Sequence, residues 1–203
     1  MEINRYEAKT EEEAVKEAIK KLNCEKENFI YNSKYIEGKL FKSSKYQIEV
    51  VKIEDIKDYI NEFFKQYSKL TNIEINSDIL YNNESFNVVL VTNNNSILIG
   101  KEGKNLNALQ NILRQNLKIE TGMYIKINID VSNYKIKKLN NLEKEVRKIA
   151  KEIIKTKLDV SLDPMNSYER RYIHNIINEY ENLKTESIGE GKERHIVIKY
   201  IEN

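Results

Sequence analysis

The 203-residue chain carries 34 basic and 32 acidic side chains, a net charge of +2, so it has no global positive field and any affinity for nucleic acid must come from local patches. Hydrophobic residues make up 40% and charged residues 33%, enough for a core and too balanced for disorder. No apolar run approaches the roughly 18 residues that span a bilayer, the opening MEINRYEAKT lacks a secretory signal core, and the single cysteine, Cys24, excludes an internal disulfide or a cysteine-based zinc site.

Thr10 followed by Glu13 sets up a capping box. Ala14, Val15, Ala18, Ile19 and Leu22 then share one face of a helix ending near Asn23. Strands around Phe29 to Tyr31 and Tyr46 to Val51 complete a small strand–helix–strand–strand unit over residues 1–52. From Ile53 to Leu70 the spacing is helical, through Ile56, Ile60, Phe63, Phe64 and Tyr67. Strands near Asn72 to Ile79 and Phe86 to Val91 follow, joined by a turn at Asn82–Asn83, and the run Asn93 to Asn95 reads as a loop. Leu106, Leu109, Ile112, Leu113 and Leu117 place a helix after Gly103. Ile125, Ile127, Ile129 and Val131 alternate with polar residues as a half-buried strand. Leu139, Leu142, Val146, Ile149, Ile153 and Ile154 mark a long helix. The extended VSLDP leads into a helix from Ser167 to Tyr180, and LKTES and RHIVIKY close the chain as strands joined by a turn at Gly189–Gly191. The expected fold is α+β, with small α/β units in tandem at residues 1–52, 53–133 and 134–203.

Gly100, Lys101, Glu102 and Gly103 sit between the apolar Ile97, Leu98 and Ile99 and a helix start. Glycines at both ends let backbone pass close to backbone. The free N–H groups and dipole of the following helix favour a phosphate, and Lys101 and Lys104 add positive charge there. The apolar neighbours could line a groove for unstacked bases. The plainer alternative is a tight turn with no ligand. Residues 72–133 carry five basic and six acidic side chains, so binding there needs a neighbouring surface or is weak.

In NSYERRYIHNIINEY, Asn166 or Ser167 can cap a helix whose buried stripe is Ile173, Ile176, Ile177 and Tyr180. Arg170 and His174 lie one turn apart and flank that stripe, while Arg171 points further into solvent. A guanidinium can hold a phosphate bidentately, and an imidazole beside it can hydrogen-bond or stack. The plainer alternative is a helix edge whose Arg and His satisfy local carbonyls; His195, on a closing strand, reads as structural. Upstream, the helix from Lys135 to Lys157 carries nine basic residues against Glu143, Glu145 and Glu152. It reads either as a track extending an RNA path or as a solvated amphipathic helix.

The order helix–strand–strand–short helix–GKEG–helix–strand, with IGKEGKNLNALQ, resembles a type II K-homology (KH) domain. That resemblance implies single-stranded nucleic acid clamped over Gly100 to Gly103, with Ile99 and Lys104 beside it. LDPMNSYERRYIHNII followed by LKTESIGEGKERHIVI resembles the R-three-H domain, a single-stranded nucleic-acid-binding domain named for an Arg and a His three residues apart, with Arg170 and His174 as that pair. The tandem, preceded by AKTEEEAVKEAIKKLN, is similar to the bacterial Jag family (SpoIIIJ-associated proteins, also called KhpB or EloR). The family's glycine-rich stretch after the first strand pair corresponds to YIEGKLFKSS, which has only Gly38.

The resemblance implies a cytoplasmic, non-catalytic regulator that binds single-stranded RNA, tied to cell elongation, division or sporulation control. It further implies a small KH protein as a partner, with single-stranded DNA binding and a homo-oligomer left open. A second expectation is a protein-interaction adaptor linking an envelope or division complex to RNA or other partners, docking through the KH face, the N-terminal unit or the aromatic stripe Phe63, Phe64 and Tyr67. An enzyme is not expected: no Walker-type string is present, no nucleophile partners His174, and no cofactor or metal ligand set stands out.

Overall fold

Period-2 strands with one apolar face and helices with one apolar stripe have a single economical arrangement: each sheet lays its apolar face on helices. The chain does this three times. The computed structural model describes residues 1–38 and 43–202. It divides into two compact units, residues 1–132 and 133–203.

The first unit opens with β1 (Asn4–Ala8), α1 (Glu11–Leu22), β2 (Phe29–Ile36) and β3 (Lys45–Lys52). The antiparallel order is β1-β3-β2, in a register that sets Tyr6 opposite Ile48 and Tyr31 opposite Val50. Ala14, Val15 and Ala18 of α1 pack on Phe29, Ile48 and Val50. Thr10 Oγ1 accepts from the Glu13 amide at 3.2 Å, one of the two hydrogen bonds of the anticipated box. The helix stops at Asn23, which takes the left-handed conformation (φ 49°). YIEGKLFKSS begins with the last two residues of β2, and its residues 39–42 lie outside the described residues.

The same unit continues with α2 (Ile53–Thr71), β4 (Ile75–Asn82), β5 (Ser85–Thr92), α3 (Asn95–Ile99), α4 (Lys104–Thr121) and β6 (Lys126–Val131). Here β4 pairs antiparallel and β6 parallel with the central β5. A parallel neighbour needs a crossover, and α3, the GKEG loop and α4 supply it. Phe86, Val88 and Leu90 of β5, Ile127, Ile129 and Val131 of β6, and Leu106, Leu113 and Leu117 of α4 are all essentially unexposed. Ile56, Ile60 and Phe64 of α2 are equally buried.

Several readings are corrected here. Asn72 ends α2 in the left-handed conformation (φ 55°), so β4 starts only at Ile75. The hairpin turns at Asn83–Glu84, both at positive φ as a two-residue primed turn requires, rather than at Asn82–Asn83. Within the asparagine run, Asn94 Oδ1 caps α3 and Asn95 is already helical. Within the aromatic stripe, Phe64 is core at 1% exposed and packs edge-on to Phe63, while Phe63 and Tyr67 stay half-buried. Leu70, Ile112 and Ile154, placed on apolar faces by spacing, are exposed.

The second unit consists of α5 (Tyr134–Thr156), β7 (Val160–Ser161), α6 (Ser167–Ile177), β8 (Leu183–Ile188) and β9 (His195–Tyr200). The sheet order is β7-β9-β8, antiparallel throughout. Val146, Ala150 and Ile153 of α5 meet Ile173, Ile176 and Ile177 of α6 and Leu183, Ile196 and Ile198 of the sheet. The α6 helix ends three residues before Tyr180, because the amides of Glu179 and Tyr180 turn back to Ile176 and Ile177.

Ile173 is completely buried at the centre of this core. Ile173→Ala is expected to cost about 2–5 kcal/mol through lost burial and a residual cavity. Urea unfolding checks this, with the far-UV spectrum unchanged in the absence of denaturant.

Candidate nucleic-acid interface

The α3–α4 connection is built on glycine. Gly100 sits at φ 67°, ψ 178°, a region essentially closed to residues with a Cβ. Its N–H donates to the Ser96 carbonyl at 2.8 Å and closes α3. Asn105 Nδ2 donates to the Ile97 carbonyl at 2.8 Å, bridging the loop. A Cβ on Gly100 would lie 2.5 Å from Asn105 Cγ. Glu102 (φ 56°) and Gly103 (φ 82°) are both left-handed. The buried Gly103 occupies the N-cap of α4 and provides no capping side chain. The positive end of α4 therefore opens on the loop without a side-chain acceptor.

Lys101, Glu102 and Lys104 are exposed, Ile99 is half-buried and Leu98 anchors α3 in the core. Lys104 Nζ lies 3.8 Å from the Glu102 carboxylate, so the loop presents one positive charge net of that pair. The arrangement brings together Gly100, Lys101, Glu102, Gly103, Lys104 and Ile99. Asn105, which locks the loop, was missed in the sequence. The available signal was an amide side chain two residues after the second glycine.

The second candidate face is set by the N-terminus of α6. Asn166 Oδ1 accepts from the amides of Tyr168 and Glu169, and Glu169 Oε2 accepts from the Asn166 amide, a complete capping box. Arg170 is half-buried, and its Nη1 donates to the Met165 carbonyl at 2.8 Å. To that extent the plainer alternative holds: one N–H of the guanidinium serves a local carbonyl. The exposed His174 shares a hydrogen bond through Nδ1 with Thr185 Oγ1 of β8, and its Nε2 has no hydrogen-bond partner among the described residues. Arg171 is exposed and has no partner among the described residues. Arg194, missed in the sequence, joins this neighbourhood: its carbonyl accepts from the Met165 amide at 3.2 Å, and its Nε donates to Ser187 Oγ at 3.1 Å. His195 Nδ1 is 2.9 Å from the Glu193 carbonyl, in keeping with a structural role.

The basic residues of α5 are not equivalent. Arg147 binds Glu143 through Nε and Glu179 through both terminal nitrogens, and Tyr172 donates to Glu143 at 2.8 Å. Hydrogen bonds that Arg147 makes with Glu179, then Glu143 and Tyr180, raise its guanidinium further above its already high range. Arg147 is thus committed to holding α5 against the end of α6. Lys138 is likewise held by Glu169 at 2.6 Å. Among the described residues no group of three or more His, Cys, Asp or Glu side chains is placed to hold a metal ion, and no helix is long and apolar enough to cross a membrane.

Two outcomes follow from this geometry. Gly100→Ala is expected to destabilise the protein more than Gly122→Ala. Both sites have positive φ, but only the first places its Cβ against a neighbour; thermal unfolding of the pair checks the order. The Arg147 hydrogen bonds hold the Glu143 and Glu179 carboxyls below their ordinary value of 4.5. A lowered carboxylate contributes stability that is complete above its ordinary value and fades as pH falls through the lowered one. Glu179→Gln should therefore lose less stability than the parent as pH falls below the ordinary carboxylate value of 4.5, read by urea unfolding at each pH.

Comparison with known proteins assigns a domain family to each of the two segments that carry these residues. Residues 55–141 match the KH domain model and residues 140–200 the R-three-H domain model. A protein of Clostridium symbiosum named RNA-binding protein KhpB is 34% identical over 94% of this chain and 88% of its own length. The like-named protein of Bacillus subtilis is 39% identical over 52% of this chain and 51% of its own length. That of Lactiplantibacillus plantarum is 27% identical over 70% of this chain and 42% of its own length. Identity that runs through both matched domains and into the N-terminal segment, on a protein of nearly the same span, places the chain in the Jag family, the family of the KhpB proteins.

Proposed function

We propose that this chain is a non-catalytic binder of single-stranded RNA. The observation that carries the reading is the GKEG loop: positive-φ glycines at both ends, an exposed Lys101 and an α4 N-terminus with no side-chain cap. A phosphate spine can approach such a loop without meeting a Cβ, and backbone donors face it. The name RNA-binding protein carried by the Clostridium symbiosum relative supports the same reading. Arg170, Arg171 and His174 form the second contact face, with phosphate bound by guanidinium N–H groups and a base against the imidazole.

In this reading residues 53–133 and 134–203 are the two RNA-binding modules and residues 1–52 a separate small module. The protein acts in the cytoplasm as a regulator of cell elongation, division or sporulation, beside a small KH protein partner. The adaptor reading keeps one observation in its favour. Leu80, Val89 and Val91 are 60%, 43% and 60% exposed on the open face of the β4–β5–β6 sheet. Retention of a protein partner after nuclease treatment would point to that face.

Gly100→Asp with Gly103→Asp should abolish most single-strand affinity, because two carboxylates then repel phosphate and block its approach. Both positions have positive φ, so Lys101→Glu, on an exposed side chain, serves as the fold-neutral companion. Unchanged affinity of Lys101→Glu in a salt-controlled titration would remove the loop from the interface. His174→Ala and Arg170→Ala should each cost about 1–3 kcal/mol if they read a base, and less if they touch phosphate alone. Arg170→Ala should also lower stability, since it orphans the Met165 carbonyl.

A further inference from the structure

The KH face is poor in net charge. The KH segment, residues 72–133, carries five basic and six acidic side chains. Lys104 of its loop sits beside Glu102, and the positive charge of the second face is confined to the short cluster of Arg170, Arg171 and Arg194. Yet most affinity for a polyanion comes from cations that displace condensed counterions. A strand longer than that cluster needs a further line of cations to extend that term.

The α5 helix carries such a line. Several basic side chains of this region are engaged, among them Arg147 with Glu143 and Glu179, Lys138 with Glu169, and Lys157 with Glu202. Lys137, Lys144, Lys148, Lys151 and Lys155 are exposed and have no ion pair among the described residues. At about 100° per residue these five fall within an arc of about 60°. That arc lies opposite Val146, Ala150 and Ile153, which are completely buried. At about 1.5 Å per residue the line runs about 27 Å, and its widest gap is about 10 Å, comparable with the screening length in 0.1 M salt, so neighbouring potentials overlap. The exposed Asn140 and Asn141 occupy that gap with amide donors. Glu145 and Glu152 lie along one flank of the line.

We propose that this lysine stripe is a sequence-independent phosphate track for single-stranded RNA. It sets the salt dependence of affinity, while the GKEG loop and the Arg170–His174 pair select what is bound. The inference rests on the RNA-binding reading above. An anionic membrane is the weaker partner, because a helix lying on a bilayer inserts its apolar face, and the apolar face of α5 is buried in its own core.

The test uses the full chain, an unstructured polyuridine oligonucleotide and titrations between about 50 and 200 mM salt. The triple variant Lys144→Gln, Lys148→Gln, Lys151→Gln should make the slope of log K against log salt shallower by about 2, at about 0.7 per lost single-strand phosphate contact. A control removing equal charge elsewhere, Lys16→Gln, Lys20→Gln, Lys69→Gln, should leave the slope near that of the parent. Matching circular dichroism spectra check that both variants fold. An unchanged slope in the stripe variant, or an equal change in the control, overturns the track and leaves RNA binding standing. If the parent binds no RNA, both readings fall. Stripe-dependent binding to phosphatidylglycerol vesicles with an unaltered RNA slope would assign the lysines to a membrane and overturn the proposal.

Discussion

Every helix that bears a candidate contact is oriented by removal of its opposite stripe from water. The α4 helix buries Leu106, Leu109, Leu113 and Leu117, α5 buries Val146, Ala150 and Ile153, and α6 buries Ile173, Ile176 and Ile177. Each large side chain so buried contributes on the order of 1.5–3 kcal/mol. That burial leaves the GKEG loop, the lysine line and the Arg170–His174 edge on the outside. It also holds the strained backbone at Gly100, Glu102 and Gly103 in place, since a loop between two packed helices has little freedom to relax.

Charge is distributed on a different plan from burial. The molecule as a whole is nearly neutral, so a long-range field cannot steer a polyanion. Within that neutral total, the carboxylates of Glu143, Glu179 and Glu169 are drawn into contacts between α5 and α6. They neutralise Arg147 and Lys138 near the packed side of α5. The opposite side keeps lysines that form no ion pair among the described residues. Surface ion pairs of this kind contribute little to stability individually. Their effect here is on where positive charge remains uncompensated.

The two faces also differ in how they would meet a strand. The GKEG loop offers backbone donors and absent side chains, so its specificity for phosphate is steric as much as electrostatic. The α6 edge offers side chains held by their own hydrogen bonds: Arg170 on the Met165 carbonyl and His174 on Thr185. Preorganisation of this sort lowers the entropy lost on binding. It leaves Nε2 of His174 and the remaining guanidinium N–H groups for a ligand.

Helix and strand identity was legible from the spacing of Ile, Leu and Val alone, because burial of one face imposes a period of 3.6 or 2 on the residues that drive folding. The GKEG string and the Arg170–His174 spacing were legible for a similar reason: only glycine tolerates such a turn, and four residues make one helical turn. Left-handed caps at Asn72, Asn83 and Glu84 moved strand and turn boundaries, since asparagine marks a turn without saying which residue takes positive φ. Whether Phe64 was surface or core, whether Arg147 was free or clamped, and that Asn105 and Arg194 belong to the two faces were decided by tertiary structure alone. Each depends on partners distant in the chain or on the path of the backbone, and a local pattern of residue types carries no record of either.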